Sequence, residues 1–198
     1  MSPRGLPAPP DNLPELPSTK LGTEPLWRIH PADVAHWFFD VGPDGRFNLA
    51  ESGTCYLAED RIGAFVEKFG RLVRPDGVIP EPLVDAQSIS LRPPKAEVVD
   101  LTDPTVLGLV GLTAETHSTT DYNLTQGWAL AFQEAGYAGI RHKARHDPRG
   151  QLISITLFGS EKVPRRAAKT TAIPVDLIHE ASTAFAITVL PRRHSRRG

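Results

Sequence analysis

Apolar residues recur at intervals of three and four in the stretch after residue 60. Ile62, Phe65, Val66, Phe69 and Val73 fall on one face of a helix. Asp60 stands where an N-cap belongs, and Gly70 where a helix can stop. A second stripe, Leu124, Trp128, Ala131, Phe132 and Ala135, predicts a helix from Thr120 or Asp121 to Ala135, punctuated by Gly136 and Gly139. Elsewhere the period is two. Ile153, Ile155 and Leu157 alternate with Ser154 and Thr156, which predicts a strand over 151–158. Thr54–Ala58 reads as a strand by its β-branched and aromatic content. Leu26–Ile29 reads as a short strand ended by Pro31, and Gly139–His142 as another. A helix is expected over 175–181, then a last strand over 183–190 through alternating Phe185, Ile187 and Val189. Turns are expected at 42–45, ahead of Arg46-Phe47-Asn48, and at 51–53 and 147–150. Strands and helices do not alternate regularly, so the expected fold class is α+β rather than a doubly wound sheet.

Proline marks the edges of this pattern. Seven of the 19 prolines lie in the first 25 residues, where missing amide donors and fixed φ angles oppose helices and central strands. Residues 1–23 are therefore expected to be a mostly disordered or extended arm. A long surface connection is expected from Arg74 to Pro94, holding one short strand near Ser88–Leu91. Residues 24–190 form the expected folded domain. Residues 191–198, with four arginines, form a basic tail expected to be solvated.

The 198 residues suit one domain, and 40% hydrophobic with 23% charged residues is ordinary for a soluble globular chain. A net charge of -1 supplies no general field for nucleic acid or an anionic membrane. The single Cys55 excludes an internal disulfide framework and a cysteine-based zinc cluster. No apolar run is long enough to span a bilayer, and no signal-peptide core opens the sequence, so a cytoplasmic location is expected.

Familiar catalytic signatures are missing. There is no GxGxxG, no GxxxxGK[ST] and no GxSxG. His142 and His146 are four apart, but they flank cations in a segment read as strand and loop, so no metal is expected. One constellation remains: Arg28, Arg46, Tyr56 and Glu67. Two guanidinium forks could grip a pyrophosphate, and a tyrosine ring could stack on a heterocycle. Glu67 lies about 140° from Ile62 around its helix, off the apolar face. Gly63, one turn earlier, is expected to leave the space beside it open. A carboxylate there could hold a ribose hydroxyl and stabilise positive charge on the sugar, while a solvated glutamate or an Arg46–Glu67 structural ion pair would account for the same residues.

The ordered series Leu26-Trp27-Arg28-Ile29, Gly45-Arg46-Phe47-Asn48, Cys55-Tyr56-Leu57-Ala58 and Ala64-Phe65-Val66-Glu67 resembles the RES domain family, named for an Arg, a Glu and a Ser. Arg46 to Tyr56 spans ten positions and Tyr56 to Glu67 eleven, spacings similar to the family's. The likeness continues through Thr119-Thr120-Asp121-Tyr122, Trp128-Ala129, Gly136–Ile140, Arg145-His146-Asp147 and Leu157-Phe158-Gly159.

This resemblance implies an ADP-ribosyltransferase-like core of short strands with flanking helices, and NAD+ as substrate. It implies cleavage that releases nicotinamide, by hydrolysis or by phosphorolysis with inorganic phosphate as co-substrate. It further implies a toxin restrained by an Xre-type antitoxin, with no direct binding to nucleic acid or membrane. Carried over by position, Arg28 and Arg46 bind the NAD+ phosphates or ribose, Tyr56 packs on the nicotinamide or its ribose, and Glu67 stabilises the ribosyl cation. At the family's serine position this chain has Ala144. That departure leaves open a catalytically weak NAD-binding protein, and a transferase of ADP-ribose to a macromolecule is a separate alternative. Ser118 and Thr119 are neighbouring hydroxyls that could stand in.

Overall fold

A computed structural model describes residues 5–72, 78–79, 86–159 and 171–189. Its architecture is mixed α+β, as the pattern predicts. The strands are β1 (Ser18–Lys20), β2 (Leu26–Pro31), β3 (Thr54–Ala58), β4 (Val78–Ile79), β5 (Ala86–Leu91), β6 (Glu97–Asp100), β7 (Gly139–Lys143), β8 (Ile153–Phe158), β9 (Thr171–Ala172) and β10 (Thr188–Val189). The helices are α1 (Arg61–Phe69), α2 (Pro104–Val110), α3 (Tyr122–Glu134) and α4 (Val175–Phe185). Eight strands form one sheet in the order β1-β6-β7-β8-β3-β2-β5-β9, and β4 pairs with β10 separately. Only β6 and β7 run parallel within the large sheet.

The join between β2 and β3 positions the site. β3 pairs with β8 over five residues and β2 with β5 over six, but β2 and β3 share a single pair, Trp27 opposite Ala58. Beyond that pair both strands line a cavity.

Apolar side chains cover both faces. On one, Phe65 and Phe69 of α1 pack with Ile29, Leu177 and Ala181. On the other, Trp128, Ala129 and Phe132 of α3 pack with Phe47, Val99, Val106 and Ile140. The Asp60 carboxylate accepts a 2.6 Å hydrogen bond from the Gly63 amide, so it caps α1 as expected. Gly70 does not end the turn in a left-handed conformation: its φ is −54°, and the chain continues as a 3-10 turn over Gly70–Leu72. Val73 lies outside the described residues, as do 74–77 and 80–85 of the expected connection and the basic tail, while the short strand expected near Ser88–Leu91 is part of β5.

Three expectations change. Residues 183–185 belong to α4, and only Thr188–Val189 form a strand. The alternation at Phe185, Ile187 and Val189 coincides with a helix end, where Ala186 takes φ +51°. No element is predicted above for residues 95–119, yet β6 and α2 lie there. Asp103 caps α2, Pro104 opens it and Gly111 closes it at φ +70°, so the local signals were present in a short segment.

The third change concerns the arm. It is extended, but along residues 5–20 it is packed rather than disordered. Leu6, Leu13 and Leu16 join the cluster around Trp128. The indole Nε1 donates to the Pro7 carbonyl at 2.8 Å, and the Tyr137 hydroxyl bridges the Leu16 amide and carbonyl at 3.1 and 2.9 Å. β1 then pairs antiparallel with β6. Leu16→Ala is expected to cost about 2–3 kcal/mol, as for other buried leucines. Thermal unfolding of the full chain checks this, and an unchanged midpoint would show the arm to be dispensable.

Candidate active site

The cavity between β2 and β3 has a volume of about 380 Å³. Arg28, Arg46, Tyr56 and Glu67 all line it, so the fold brings together four side chains spread over forty positions of sequence.

Arg46 is the most deeply held, at 6% exposure. Its guanidinium donates to the carbonyl of His117, to His142 Nδ1 at 2.9 Å and to the Lys143 carbonyl at 3.4 Å. Burial pulls its pKa down and the Glu67 charge opposes that, but a guanidinium remains a cation. His142 Nδ1 lies between that guanidinium and the Lys143 carbonyl, at 2.9 and 3.1 Å, and Nε2 is 2.8 Å from Thr156 Oγ1. Burial, then the Arg46 charge, holds His142 well below the usual histidine range, so it is neutral.

The loop before Arg46 is tied to α3. Thr125 Oγ1 donates to the Arg46 carbonyl at 2.5 Å, and Gln126 Nε2 donates to the carbonyls of Pro43 and Gly45. Residue 45 must be glycine, because a Cβ there would lie 2.0 Å from Asn48 Oδ1. That oxygen accepts from the hydroxyls of Thr54 and Tyr56. The Tyr56 hydroxyl also accepts from the Phe47 amide at 2.9 Å, and burial pushes its pKa above the usual phenol range. The hydroxyl is thus spent on the loop, and the ring is what Tyr56 offers to a ligand.

Glu67 is half-buried. Ser154 Oγ, fully buried on β8, donates to Glu67 Oε1 at 2.7 Å. Burial pushes the carboxyl above its usual range, against the pull of that hydrogen bond and of the Arg46 charge. No ion pair joins Arg46 to Glu67 among the described residues, so the purely structural pairing is not what the fold builds. Gly63 does not hold open space beside Glu67. A Cβ there would sit 3.0 Å from Ala58 Cβ, so the glycine lets α1 settle closely on β3.

Arg28 is anchored by one end. Its Nη1 donates to the carbonyls of His36 and Phe38 at 2.6 and 3.2 Å, and approaches Cys55 Sγ at 3.0 Å. Ala144 does not line the cavity; it is buried against Val66 and Leu152. Among the described residues, no group of three histidine, cysteine or carboxylate side chains could hold a metal.

Sequence reasoning passed over Ser154 and Thr156. They are the hydroxyl positions of an alternating strand, and alternation usually marks a solvated face. Here both faces of β8 are covered, and the two hydroxyls serve Glu67 and His142. A β-strand buried on both sides by its neighbours was the missing information. Tyr122 and Arg145 also line the cavity, with Arg145 Nη1 donating to the Tyr122 hydroxyl at 2.5 Å.

No curated protein matches this chain. Among solved structures, a chain of the M. tuberculosis MbcT-MbcA toxin-antitoxin complex superimposes with a TM-score of 0.64 at 18% identity, covering 83% of this chain and 92% of that one. This is a likeness of fold. The model of the RES domain family matches residues 25–177, which takes in every cavity side chain described above, and the chain belongs to the RES domain family.

Proposed function

We propose that this chain is an NAD+-cleaving enzyme that releases nicotinamide, and that it acts as the toxin of a toxin–antitoxin pair. The observation that carries the chemistry is Glu67: a carboxylate oriented by a buried serine, facing a cavity it shares with a fixed tyrosine ring and a buried cation. Such a group is placed to stabilise a sugar cation. In the reaction, the bond between C1 of the ribose and the pyridinium nitrogen breaks. Its electron pair neutralises the departing nicotinamide, and positive charge spreads over C1 and the ring oxygen. Ionised Glu67 stabilises that charge, Tyr56 presents its ring to the nicotinamide or its ribose, and Arg46 adds positive potential for the anionic remainder of the substrate. Water then adds to C1 with loss of a proton, or inorganic phosphate adds through one oxygen.

The restraint by a partner rests on the family and on the neighbour's toxin–antitoxin assembly. The partner is expected to be an Xre-type antitoxin. A weakly active NAD-binding protein is the second reading; it rests on Ala144 at the family's serine position, and the packing of that methyl group away from the cavity speaks against it. Mass spectrometry of NAD+ incubated with the full chain separates these readings. Nicotinamide with ADP-ribose is expected in water, and nicotinamide with ADP-ribose 1-phosphate when phosphate is the acceptor. Intact NAD+ in both conditions would contradict cleavage.

Ser154→Ala tests the orientation of the carboxylate. Losing one hydrogen bond to a charged group is expected to slow turnover about tenfold or more. The acidic limb of the rate profile should move to higher pH, because Ser154 holds the Glu67 pKa down. Ser154→Thr should restore part of the rate. An unchanged profile would remove Ser154 from the mechanism.

A further inference from the structure

The two guanidinium groups expected to take the phosphates have spent much of their bonding inside the protein. Arg28 Nη1 serves two carbonyls and a thiol, and both terminal nitrogens of Arg46 have protein partners. The same cavity carries other cations. Lys68 lies in the last turn of α1 and Arg71 in the 3-10 turn that follows, three residues on, so they share a side. Both line the cavity, as does Arg145 from the loop between β7 and β8. Gly70 allows these segments to meet, since a Cβ there would fall 2.3 Å from His146 Cβ.

Around this space stand five cationic side chains, Arg28, Arg46, Lys68, Arg71 and Arg145, against three carboxylates, Asp40, Asp44 and Glu67. Neither Lys68 nor Arg71 has an ion-pair partner among the described residues. Burial, then the charges of Arg71 and Arg28, push the Lys68 ammonium below its usual range. Like charges gathered on one concave wall repel, and a bound polyanion relieves the repulsion.

We propose that Lys68 and Arg71 form a phosphate subsite at the C-terminal end of α1, distinct from the Arg46–Glu67 pair. The ligand chemistry is a phosphate or pyrophosphate anion, supplied by the dinucleotide substrate or by free inorganic phosphate. Only the identity of the natural ligand rests on the proposed NAD+ cleavage.

The test uses the full chain and inorganic pyrophosphate in a calorimeter. The wild type is expected to bind it, and the double variant Lys68→Gln/Arg71→Gln to bind at least about tenfold more weakly. Lys20→Gln/Lys95→Gln removes the same charge at exposed positions that do not line the cavity, and should leave affinity unchanged. No pyrophosphate binding by the wild type, or equal weakening in both double variants, would overturn the subsite. Kinetics identify the source. A rise in KM for NAD+ assigns the subsite to the dinucleotide, and a rise in KM for phosphate alone assigns it to the co-substrate. No rise in either overturns it. A wild type that binds pyrophosphate but leaves NAD+ intact would sink the proposed reaction and keep the subsite.

Discussion

Glu67→Gln is expected to lower nicotinamide release from NAD+ by about 100- to 1,000-fold, the usual loss when one electrostatic stabiliser of a transition state is removed. The replacement keeps the shape and an oxygen that can still accept from Ser154, so only the charge is lost. Stability should move the other way. The folded-state pKa of Glu67 is raised, so its contribution to stability is complete below the ordinary value of 4.5 and is lost as pH rises through the folded value. Wherever Glu67 is ionised, the wild type holds a desolvated charge at a cost that glutamine lacks. The variant should therefore melt at the same temperature or higher. Steady-state rates and thermal unfolding on one preparation check both halves. A rate within twofold of wild type would remove Glu67 from the chemistry, and a large fall in melting temperature would make its role structural.

Arg46→Ala is expected to abolish measurable turnover and to destabilise the fold by about 2–4 kcal/mol. Unlike Glu67, Arg46 joins separate parts of the chain: its guanidinium ties the loop at residue 46 to the His117 carbonyl and to β7. Truncation leaves those buried acceptors without donors, at roughly 1–3 kcal/mol each, partly offset because a buried cation no longer has to be desolvated. Lysine should not rescue, since one ammonium cannot reproduce the planar fork. Acid attacks the same contact from its other side. His142 has a depressed pKa, so the stability it contributes is complete above 6.5 and is lost as pH falls through the folded value. Protonation there would set an imidazolium against the guanidinium. Denaturant unfolding of wild type and variant over a series of pH values measures both effects. Equal stabilities at neutral pH would show that Arg46 does not knit the loop to β7.

The helix carrying Glu67 was legible because its apolar residues follow one period and Asp60 caps it. Tyr56 was legible as part of a β-branched and aromatic strand. What surrounds them depended on contacts between distant segments. Ser154 lies 87 positions from Glu67, and His142 lies 96 from Arg46. No local period distinguishes a serine beside a carboxylate from a serine beside water. The arm shows the same limit. Its prolines correctly forbade helix, but they were silent on Trp128, whose indole takes the Pro7 carbonyl from 121 residues away. Local signals defined the elements that carry Tyr56 and Glu67 but not β6 or α2, and the neighbours of each polar side chain came only from the order of strands.

The most direct measurement is a crystal structure of the Glu67→Gln variant soaked with NAD+, in which slow turnover leaves the dinucleotide intact. The nicotinamide ribose should lie beside residue 67 with its base against the Tyr56 ring. NAD+ bound away from the β2–β3 cavity, or a cavity left empty at saturating NAD+, would contradict the account.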